Sequence, residues 1–152
     1  KLKDMGIEII FKENSITINR PFQYLPINVK TLVFPGFPTD LGQPIQLLLT
    51  QANGTSIFEE TIYENRMGHI PYLKLMGANI NLINQTAYIK GPTKLYGTEV
   101  IATDLRAGAC LVLAGLIAEG KTTILEVNHI LRGYENIVEK LASVSAKIEI
   151  EE

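Results

Sequence analysis

The sequence contains one cysteine and no tryptophan, and its charges of the two signs nearly cancel. A single cysteine, Cys110, excludes an internal disulfide framework and suits a reducing compartment. The net charge of −2 gives no basic surplus of the kind that binds nucleic acid. No apolar run reaches membrane-spanning length, and Lys1–Asp4 does not resemble a signal peptide. We therefore expect a cytoplasmic protein that engages neither nucleic acid nor a membrane.

Several signatures of catalysis are also missing. His69 and His129 lack metal-ligand spacing with Cys110, so no metal site is predicted. There is no G-x-x-x-x-G-K loop and no G-x-G-x-x-G after a strand, which excludes the usual kinase and nicotinamide-enzyme motifs. Cys110 lies in the most apolar stretch of the chain, where inert packing is a better interpretation than nucleophilic chemistry.

The most apolar stretch, Ile101–Gly120, predicts a buried helix. Asp104 can accept from the first free backbone N–H groups as an N-cap, and the residues that follow are apolar almost all round. Arg106 is the one cation in this helix and lies in its first turn, where the helix dipole is unfavourable to positive charge. We therefore expect Arg106 to have an anionic partner outside the helix. At 152 residues and 46% hydrophobic, the chain can bury a real core.

Internal repeats divide the chain. Thr39-Asp40-Leu41 recurs 64 residues later (103 − 39) as Thr103-Asp104-Leu105, and Leu73–Ala78 resembles Leu2–Ile7, 71 residues earlier (73 − 2). We assign 1–29 to the tail of one repeat and a linker, 30–97 to a second repeat, and 98–152 to a third. A chain that opens inside its own repeat is expected to be part of something longer.

Each full repeat is predicted as β-α-β-α-β-β, which gives an α/β (α+β) fold with βαβ crossovers. The buried helix indicates helices inside and sheets outside. The expected strands are 7–11, 15–19, 31–34, 56–63, 79–83, 86–90, 99–102, 122–129 and 147–150. The expected helices are one that Asp40 caps and Gly54 ends, 68–76, the buried helix, and 133–143.

Two aspartates and three arginines are the candidate functional residues. Asp40 and Asp104 begin predicted helices, so each is either an N-cap or, for one of them, a general base facing a cleft. Arg66 and Arg132 occupy equivalent repeat positions, each expected just after a strand. Together with Arg106 they predict a cationic cluster for a multiply anionic ligand, because guanidinium groups fork onto phosphate or carboxylate.

Four segments resemble the UDP-N-acetylglucosamine enolpyruvyl transferase family. They are PGFPTDL (35–41), ETIYENRM (60–67), ATDLRAGACLVLAGLIAEG (102–120) and RGYENIVEKL (132–141). The resemblance implies the enolpyruvyl transferase fold, in which each of two domains is an inside-out α/β barrel of three βαβαββ repeats. The chain would then hold two repeats and the tail of a third, an incomplete barrel.

The resemblance also implies a reaction and a set of roles. The family transfers the enolpyruvyl group of phosphoenolpyruvate to the 3′-hydroxyl of UDP-N-acetylglucosamine, which commits carbon to peptidoglycan and thus to cell-wall biogenesis, cell shape and division. Asp40 would be the general base, Arg132 would hold phosphoenolpyruvate, and Ile62 would touch the nucleotide sugar through its backbone. No cofactor is implied. The substrate-binding residues would be Asp40, Ile62, Arg66, Asp104, Arg106 and Arg132.

The family's catalytic cysteine belongs to a loop of the other domain, and Cys110 does not match it. The resemblance therefore implies that this chain needs the remainder of the two-domain enzyme and is inactive by itself. The sequence departs from the family pattern at Gly42, Leu131 and Ser145. Two alternatives stay open, namely the shikimate-pathway enolpyruvyl transferase and a non-catalytic repeat scaffold or interaction module.

Overall fold

The computed structural model describes residues 1–151 as a mixed α/β fold with three separate sheets. The sheets contain β1 (Glu8–Lys12) with β2 (Ser15–Asn19), then β3 (Asn28–Lys30), β4 (Gly54–Glu59), β5 (Asn79–Ile83) and β6 (Thr86–Gly91), and finally β7 (Glu99–Ile101) with β8 (Thr123–Leu125). The helices are α1 (Gly42–Leu49), α2 (Ile70–Leu75), α3 (Leu105–Ile117), α4 (Asn128–Leu131) and α5 (Ile137–Ser143). A 3-10 turn, Thr39–Leu41, precedes α1.

The stretch from β3 to β6 forms the predicted β-α-β-α-β-β order. Its sheet has the order β3-β4-β6-β5, in which β3 and β4 are parallel and the other neighbours are antiparallel. Helix α1 connects the parallel pair, as a crossover must. We call this stretch the complete unit. The predicted β5–β6 hairpin is confirmed, and so is the β1–β2 hairpin.

Hairpin β1–β2 repeats hairpin β5–β6 in sequence and in structure. Each strand of the second hairpin begins 71 residues after its counterpart in the first (79 − 8 and 86 − 15). Likewise β7 and β8 form a parallel pair joined by α3, as β3 and β4 are joined by α1. The first and last parts of the chain are thus partial copies of the complete unit.

The main core lies between the four-stranded sheet and helices α1, α2 and α3. Helix α1 approaches β4 closely, because a Cβ on Gly42 would lie 2.8 Å from Cζ of Phe58. Helix α3 approaches α4 in the same way, since a Cβ on Gly108 would lie 2.4 Å from Cγ1 of Ile130. A second, smaller cluster consists of Ala102, Val112 and Ile130.

Helix α3 begins as the sequence predicts and differs at its other end. The Asp104 carboxylate accepts from the backbone N–H groups of Arg106 (2.8 Å) and Ala107 (3.0 Å), which confirms the N-cap. The expectation that this helix is buried throughout is wrong, because Leu113 and Ile117 are exposed. They line an open apolar groove of about 900 Å³ between α1 and α3.

Several predicted strands shift or end early for local reasons. The strand expected at 31–34 lies at β3 instead, with only an isolated bridge from Thr31 to Phe37. The strand expected at 122–129 stops at Leu125, because Glu126 has a φ of 57° and α4 follows. The strand expected at 56–63 stops at Glu59, where Glu60 turns the chain. Gly54 starts β4 rather than simply ending α1.

The strand expected at 147–150 is absent from the described residues, which place this segment in irregular structure. The complete unit explains the difference. There, the equivalent strand β5 pairs with β6 alone. The described residues after α5 contain no counterpart of β6, so the last segment has no strand to pair with.

The described helices are all too short or too polar to cross a membrane. Among residues 1–151, no three His, Cys, Asp or Glu side chains are grouped so that they could hold a metal ion.

We expect Asp104→Ala to lower the free energy of unfolding by about 1 kcal/mol, because it removes the N-cap of α3. Asp104→Asn is the matched control, since an asparagine oxygen caps about as well and only the favourable charge at the helix N-terminus is lost. Urea unfolding followed by circular dichroism measures both. Equal losses for the two variants would contradict a capping role.

Candidate functional site

A buried carboxylate, that of Glu60, ties together three segments at the end of β4. Glu60 is 2% exposed. Its Oε1 accepts from Oγ1 of Thr31 (2.8 Å) and from the backbone N–H groups of Ile62 (2.8 Å) and Tyr63 (3.2 Å). Its Oε2 accepts from Oγ1 of Thr39 (2.8 Å). One side chain therefore fixes the end of β3, the 3-10 turn and the loop after β4.

The hydrogen bonds to Glu60 outweigh its burial. Burial alone would raise the pKa of this carboxyl, because it disfavours the charged form. The donors from Ile62, Thr39, Thr31 and Tyr63 together hold the pKa below its ordinary value of 4.5. Glu60 is therefore ionised at neutral pH, and its charge is neutralised by hydrogen bonds rather than by a cation.

Asp40, Arg66 and Arg106 meet beside this carboxylate, and we call these three residues the Asp40 cluster. Oδ1 of Asp40 accepts from Nε of Arg106 at 2.6 Å and from an Nη of Arg66 at 2.7 Å. The arginines come from different parts of the chain, one from the loop after β4 and the other from the first turn of α3. The prediction that Arg106 has an anionic partner outside its helix is confirmed.

The Asp40 side chain does not cap a helix, so that interpretation is wrong. The 3-10 turn and α1 that follow it have no side-chain hydrogen bond at their N-termini. The carboxylate instead points to the two guanidinium groups, which offer charge-assisted hydrogen bonds. Hydrogen bonds from Arg106 and then Arg66 lower the pKa of Asp40, and the same contact raises that of Arg106.

Arg66 is held from several sides. Its Nη also donates to Oγ1 of Thr39 (2.9 Å), and its guanidinium carbon lies 4.2 Å from the centre of the Tyr63 ring. Its backbone carbonyl accepts from Nε2 of Gln43 (3.1 Å), a buried side chain of α1. The capping-box role expected of Gln43 is therefore replaced by a contact that fixes the backbone at Arg66.

Two further candidates lie against the cluster. Ile62 is partly exposed, and its backbone N–H is occupied by Glu60. Asp104 uses one carboxylate oxygen to cap α3, and the first residue pair after it carries Arg106 into the cluster. Asp104 thus aims an arginine at the site by fixing the start of a helix.

Arg132 is not brought into the Asp40 cluster. The expectation that it follows a strand is wrong, because it is the C-cap of helix α4. It is exposed, and the ion pairs of Asp40 are with Arg66 and Arg106. Its neighbour Gly133 lies on Leu105 of α3, since a Cβ there would meet the leucine side chain at 2.6 Å. The segment carrying Arg132 therefore lies near the start of α3 without contacting the cluster.

The buried histidine and cysteine serve the core. His69 is fully buried, and burial lowers its pKa to about 4 against the opposing charge of Asp104, so it is neutral at pH 7. Cys110 is fully buried and its Sγ donates to the backbone oxygen of Gln43 at 3.4 Å. Burial raises the pKa of the Cys110 thiol, which keeps it protonated and unreactive.

The Asp40 cluster can bind an anion and can hold a hydroxyl group. Its carboxylate side chain is 60% exposed and ionised, while the guanidinium groups keep further N–H donors. Sequence reasoning predicted these three residues and missed Glu60 and Thr39, which hold them. A glutamate that directly follows a predicted strand and is flanked by threonines in sequence looks like an ordinary surface residue, so only burial reveals Glu60.

The family model described as EPSP synthase (3-phosphoshikimate 1-carboxyvinyltransferase) matches residues 1–141. The UDP-N-acetylglucosamine 1-carboxyvinyltransferase of Halothermothrix orenii is 52% identical over 148 residues, which is 97% of this chain and 35% of the relative. UDP-N-acetylglucosamine 1-carboxyvinyltransferase 2 of Staphylococcus aureus is also 52% identical over the same share of each chain. The chain therefore spans about a third of the length of these curated relatives.

Solved structures agree on the fold. The enolpyruvyl transferase NikO from Streptomyces tendae superposes with a TM-score of 0.90 at 30% identity, covering 97% of this chain and 34% of that one. An EPSP synthase from Acinetobacter baumannii superposes with a TM-score of 0.55 at 19% identity, covering 80% of this chain and 30% of that one, which is a likeness of fold alone.

Glu60→Gln should lower the free energy of unfolding at pH 7 by about 1–3 kcal/mol, because one carboxylate acceptor is lost from a buried network. The wild-type advantage should be complete above pH 4.5, the ordinary pKa, and vanish as pH falls through the lowered folded-state pKa, where Glu60 is protonated. Denaturant unfolding across this pH range measures the difference.

The neighbouring Glu59→Gln is the control for this prediction. Glu59 forms an exposed ion pair with Lys30 at 2.9 Å, which is worth less than about 1 kcal/mol. An equal loss of stability in the two variants, or a Glu60→Gln loss that persists unchanged at acid pH, would contradict the assigned network.

Proposed function

Because this chain belongs to the EPSP synthase family, we propose that it is the part of an enolpyruvyl transferase that binds and activates the acceptor hydroxyl. The acceptor we propose is the 3′-hydroxyl of UDP-N-acetylglucosamine, and the donor is phosphoenolpyruvate. The relatives at 52% identity, whose printed names specify that sugar nucleotide, favour it over shikimate phosphate. The reaction would be the first committed step of peptidoglycan synthesis, in the cytoplasm.

The Asp40 cluster is the observation that carries the proposal. An ionised carboxylate is held by two guanidinium groups at an exposed position, and the buried Glu60 network fixes the turn that presents it. A carboxylate in this position can accept the proton of a bound hydroxyl as its oxygen attacks C2 of phosphoenolpyruvate. Positioned bases of this kind contribute about 10²–10⁴-fold to rates.

The two arginines also set the strength of the base. Their hydrogen bonds hold the pKa of Asp40 low, and a carboxylate with a low pKa is a poor proton acceptor. An anionic ligand that takes over guanidinium N–H donors would weaken these hydrogen bonds and add negative charge nearby. Both effects raise the pKa of Asp40. Substrate binding would therefore strengthen the base where it is needed.

The remaining candidates receive roles from their positions. Arg66 and Arg106 would bind the anionic parts of the substrates, with Asp104 positioning Arg106 from the start of α3. Ile62 would contact the nucleotide sugar through the loop that Glu60 holds. Arg132 would reach phosphoenolpyruvate from the segment after α4, which requires its guanidinium to approach the cluster when the anion binds. No cofactor takes part in this proposal.

We further propose that the repeats divide at 1–29, 30–97 and 98–152 and belong to one inside-out barrel domain. The complete unit and its two partial copies support that division. The groove between α1 and α3 is apolar where a further repeat would place its helix. The general acid and the rest of the phosphoenolpyruvate site would come from the remainder of the enzyme, so the chain by itself should not turn over.

Titration followed by nuclear magnetic resonance tests the substrate. We expect UDP-N-acetylglucosamine to shift the backbone N–H signals of Asp40 and Ile62, and Arg106→Lys to weaken this binding at least about tenfold, because a bidentate fork is lost. Lys3→Arg, which changes an exposed cation elsewhere, is the control. Phosphate release from phosphoenolpyruvate should stay at the background rate.

Other outcomes would redirect the assignment. Shifts caused by shikimate 3-phosphate but not by the nucleotide sugar would favour the shikimate-pathway reaction. No response to any of these anions would favour a scaffold or interaction module. Turnover by the 152-residue chain alone would contradict its dependence on a second domain.

We expect the pKa of Asp40 to rise when UDP-N-acetylglucosamine and phosphoenolpyruvate are added, because the ligands compete for the guanidinium groups that now lower it. Carboxyl ¹³C chemical shifts recorded against pH measure this. Asp4, whose pKa is lowered by Lys1, is the internal control and should not respond. A saturating ligand that leaves the Asp40 titration unchanged would contradict its role as the base.

A further inference from the structure

The two-stranded sheets near the two ends of the chain are complementary halves of one unit. In the complete unit, hairpin β5–β6 adds to the parallel pair β3–β4 through β6. Hairpin β1–β2 repeats β5–β6, and the parallel pair β7–β8 repeats β3–β4. Within residues 1–151 the two halves do not pair with each other. The chain thus carries a donor hairpin and an acceptor edge, both unpaired.

The donor hairpin exposes side chains that the complete unit buries. The shift of 71 residues relates Ile16 to Ala87 and Ile18 to Ile89. Ala87 and Ile89 are 0% exposed, whereas Ile16 and Ile18 are each 62% exposed. Phe11 lies opposite Ile16 on the same face and is also exposed. An apolar strand face of this kind with a free backbone edge is prepared for pairing.

The acceptor edge is unfinished in the matching way. Thr123 pairs with Glu99 as Ile57 pairs with Asn28, so Ile124 takes the place of Phe58. Phe58 is fully buried in the complete unit, and Ile124 is only partly buried. The small cluster beneath β8 includes two further half-buried side chains, Ile137 and Leu141.

We propose that two copies of this chain associate by exchanging hairpins, so that β2 of one copy pairs antiparallel with β8 of the other. Ile16 and Ile18 would then cover the cluster around Ile124. The occupant is a second copy because the hairpin in its own chain is anchored elsewhere, with Met5 and Ile7 in the main core. Each copy donates one hairpin and accepts one, so the arrangement closes as a symmetric dimer.

The same step would explain why the segment 147–150 is not a strand. In the complete unit the last position of the sheet belongs to β5, which reaches β4 only through β6. An incoming hairpin brings both strands together, with β1 taking that last position. The segment 147–150 is then free to stay irregular. Strand addition of this kind gains main-chain hydrogen bonds for affinity and side-chain alternation for specificity.

Light scattering coupled to size-exclusion chromatography tests the proposal on the 152-residue chain. We expect the mass to rise with concentration from 16.8 kDa to twice that value. Replacing both Ile16 and Ile18 by lysine should abolish the dimer without unfolding the monomer, because both side chains are exposed there. Thr17→Lys is the matched control, since Thr17 lies on the opposite face of β2, across from Ile10. It should leave the dimer intact.

A cysteine pair tests the register. The complete unit pairs Thr86 with Glu59, so Ser15 of one copy should lie opposite Leu125 of the other. Directly opposite residues of antiparallel strands are about 4.5–5.5 Å apart, within disulfide range. Ser15→Cys with Leu125→Cys should give a disulfide-linked dimer on a non-reducing gel. Asn19→Cys with Leu125→Cys, about four residues out of register, should not. Cys110 is buried and does not compete.

Three results would overturn the proposal. The first is a mass that stays at 16.8 kDa at every concentration. The second is a disulfide that forms within one chain, which would mean that the hairpin closes on its own β8. The third is a dimer that survives lysine at Ile16 and Ile18 but is lost with Ile117→Lys, which would place the contact in the groove between α1 and α3.

Discussion

The site depends on the burial of one charge that has no cationic partner. A carboxylate away from water is costly unless its oxygens are satisfied, and Glu60 satisfies them with two hydroxyl and two backbone donors from neighbouring segments. The reward is geometric, because these donors belong to the end of β3, the 3-10 turn and the loop after β4. Without this anchor the turn that carries Asp40 and the loop that carries Arg66 would have no common fixed point.

What could be predicted from the sequence follows the range of the interactions. Hairpins β1–β2 and β5–β6 and the N-cap of α3 depend on neighbours close in sequence, and all were predicted. The interpretation of Asp40 as a cap failed because Arg66 and Arg106, 26 and 66 residues away, compete for the same oxygen. The segment 147–150 has the composition of a strand and lacks a partner. Glu60 was missed because burial is a property of the whole fold.

The polar site and the unfinished sheets obey one rule. Wherever the complete unit supplies all its strands, buried groups are paired and apolar faces are covered, as for Ile89 and Phe58. Wherever a unit is partial, the same register positions are exposed, as for Ile18. The Asp40 cluster is built from the complete unit and the first turn of α3, so it forms even though the units around it are unfinished.

A short chain of hydrogen bonds connects the deepest part of the core to the anion-binding surface. The Cys110 thiol contacts the backbone oxygen of Gln43, and the Gln43 side chain holds the backbone at Arg66. A bulkier residue or an oxidised sulfur at Cys110 would press on α1 and move the guanidinium that Asp40 depends on. The protein's interior is therefore not free to drift in sequence independently of its ligand, and a buried thiol far from any chemistry restricts how the recognition surface can evolve.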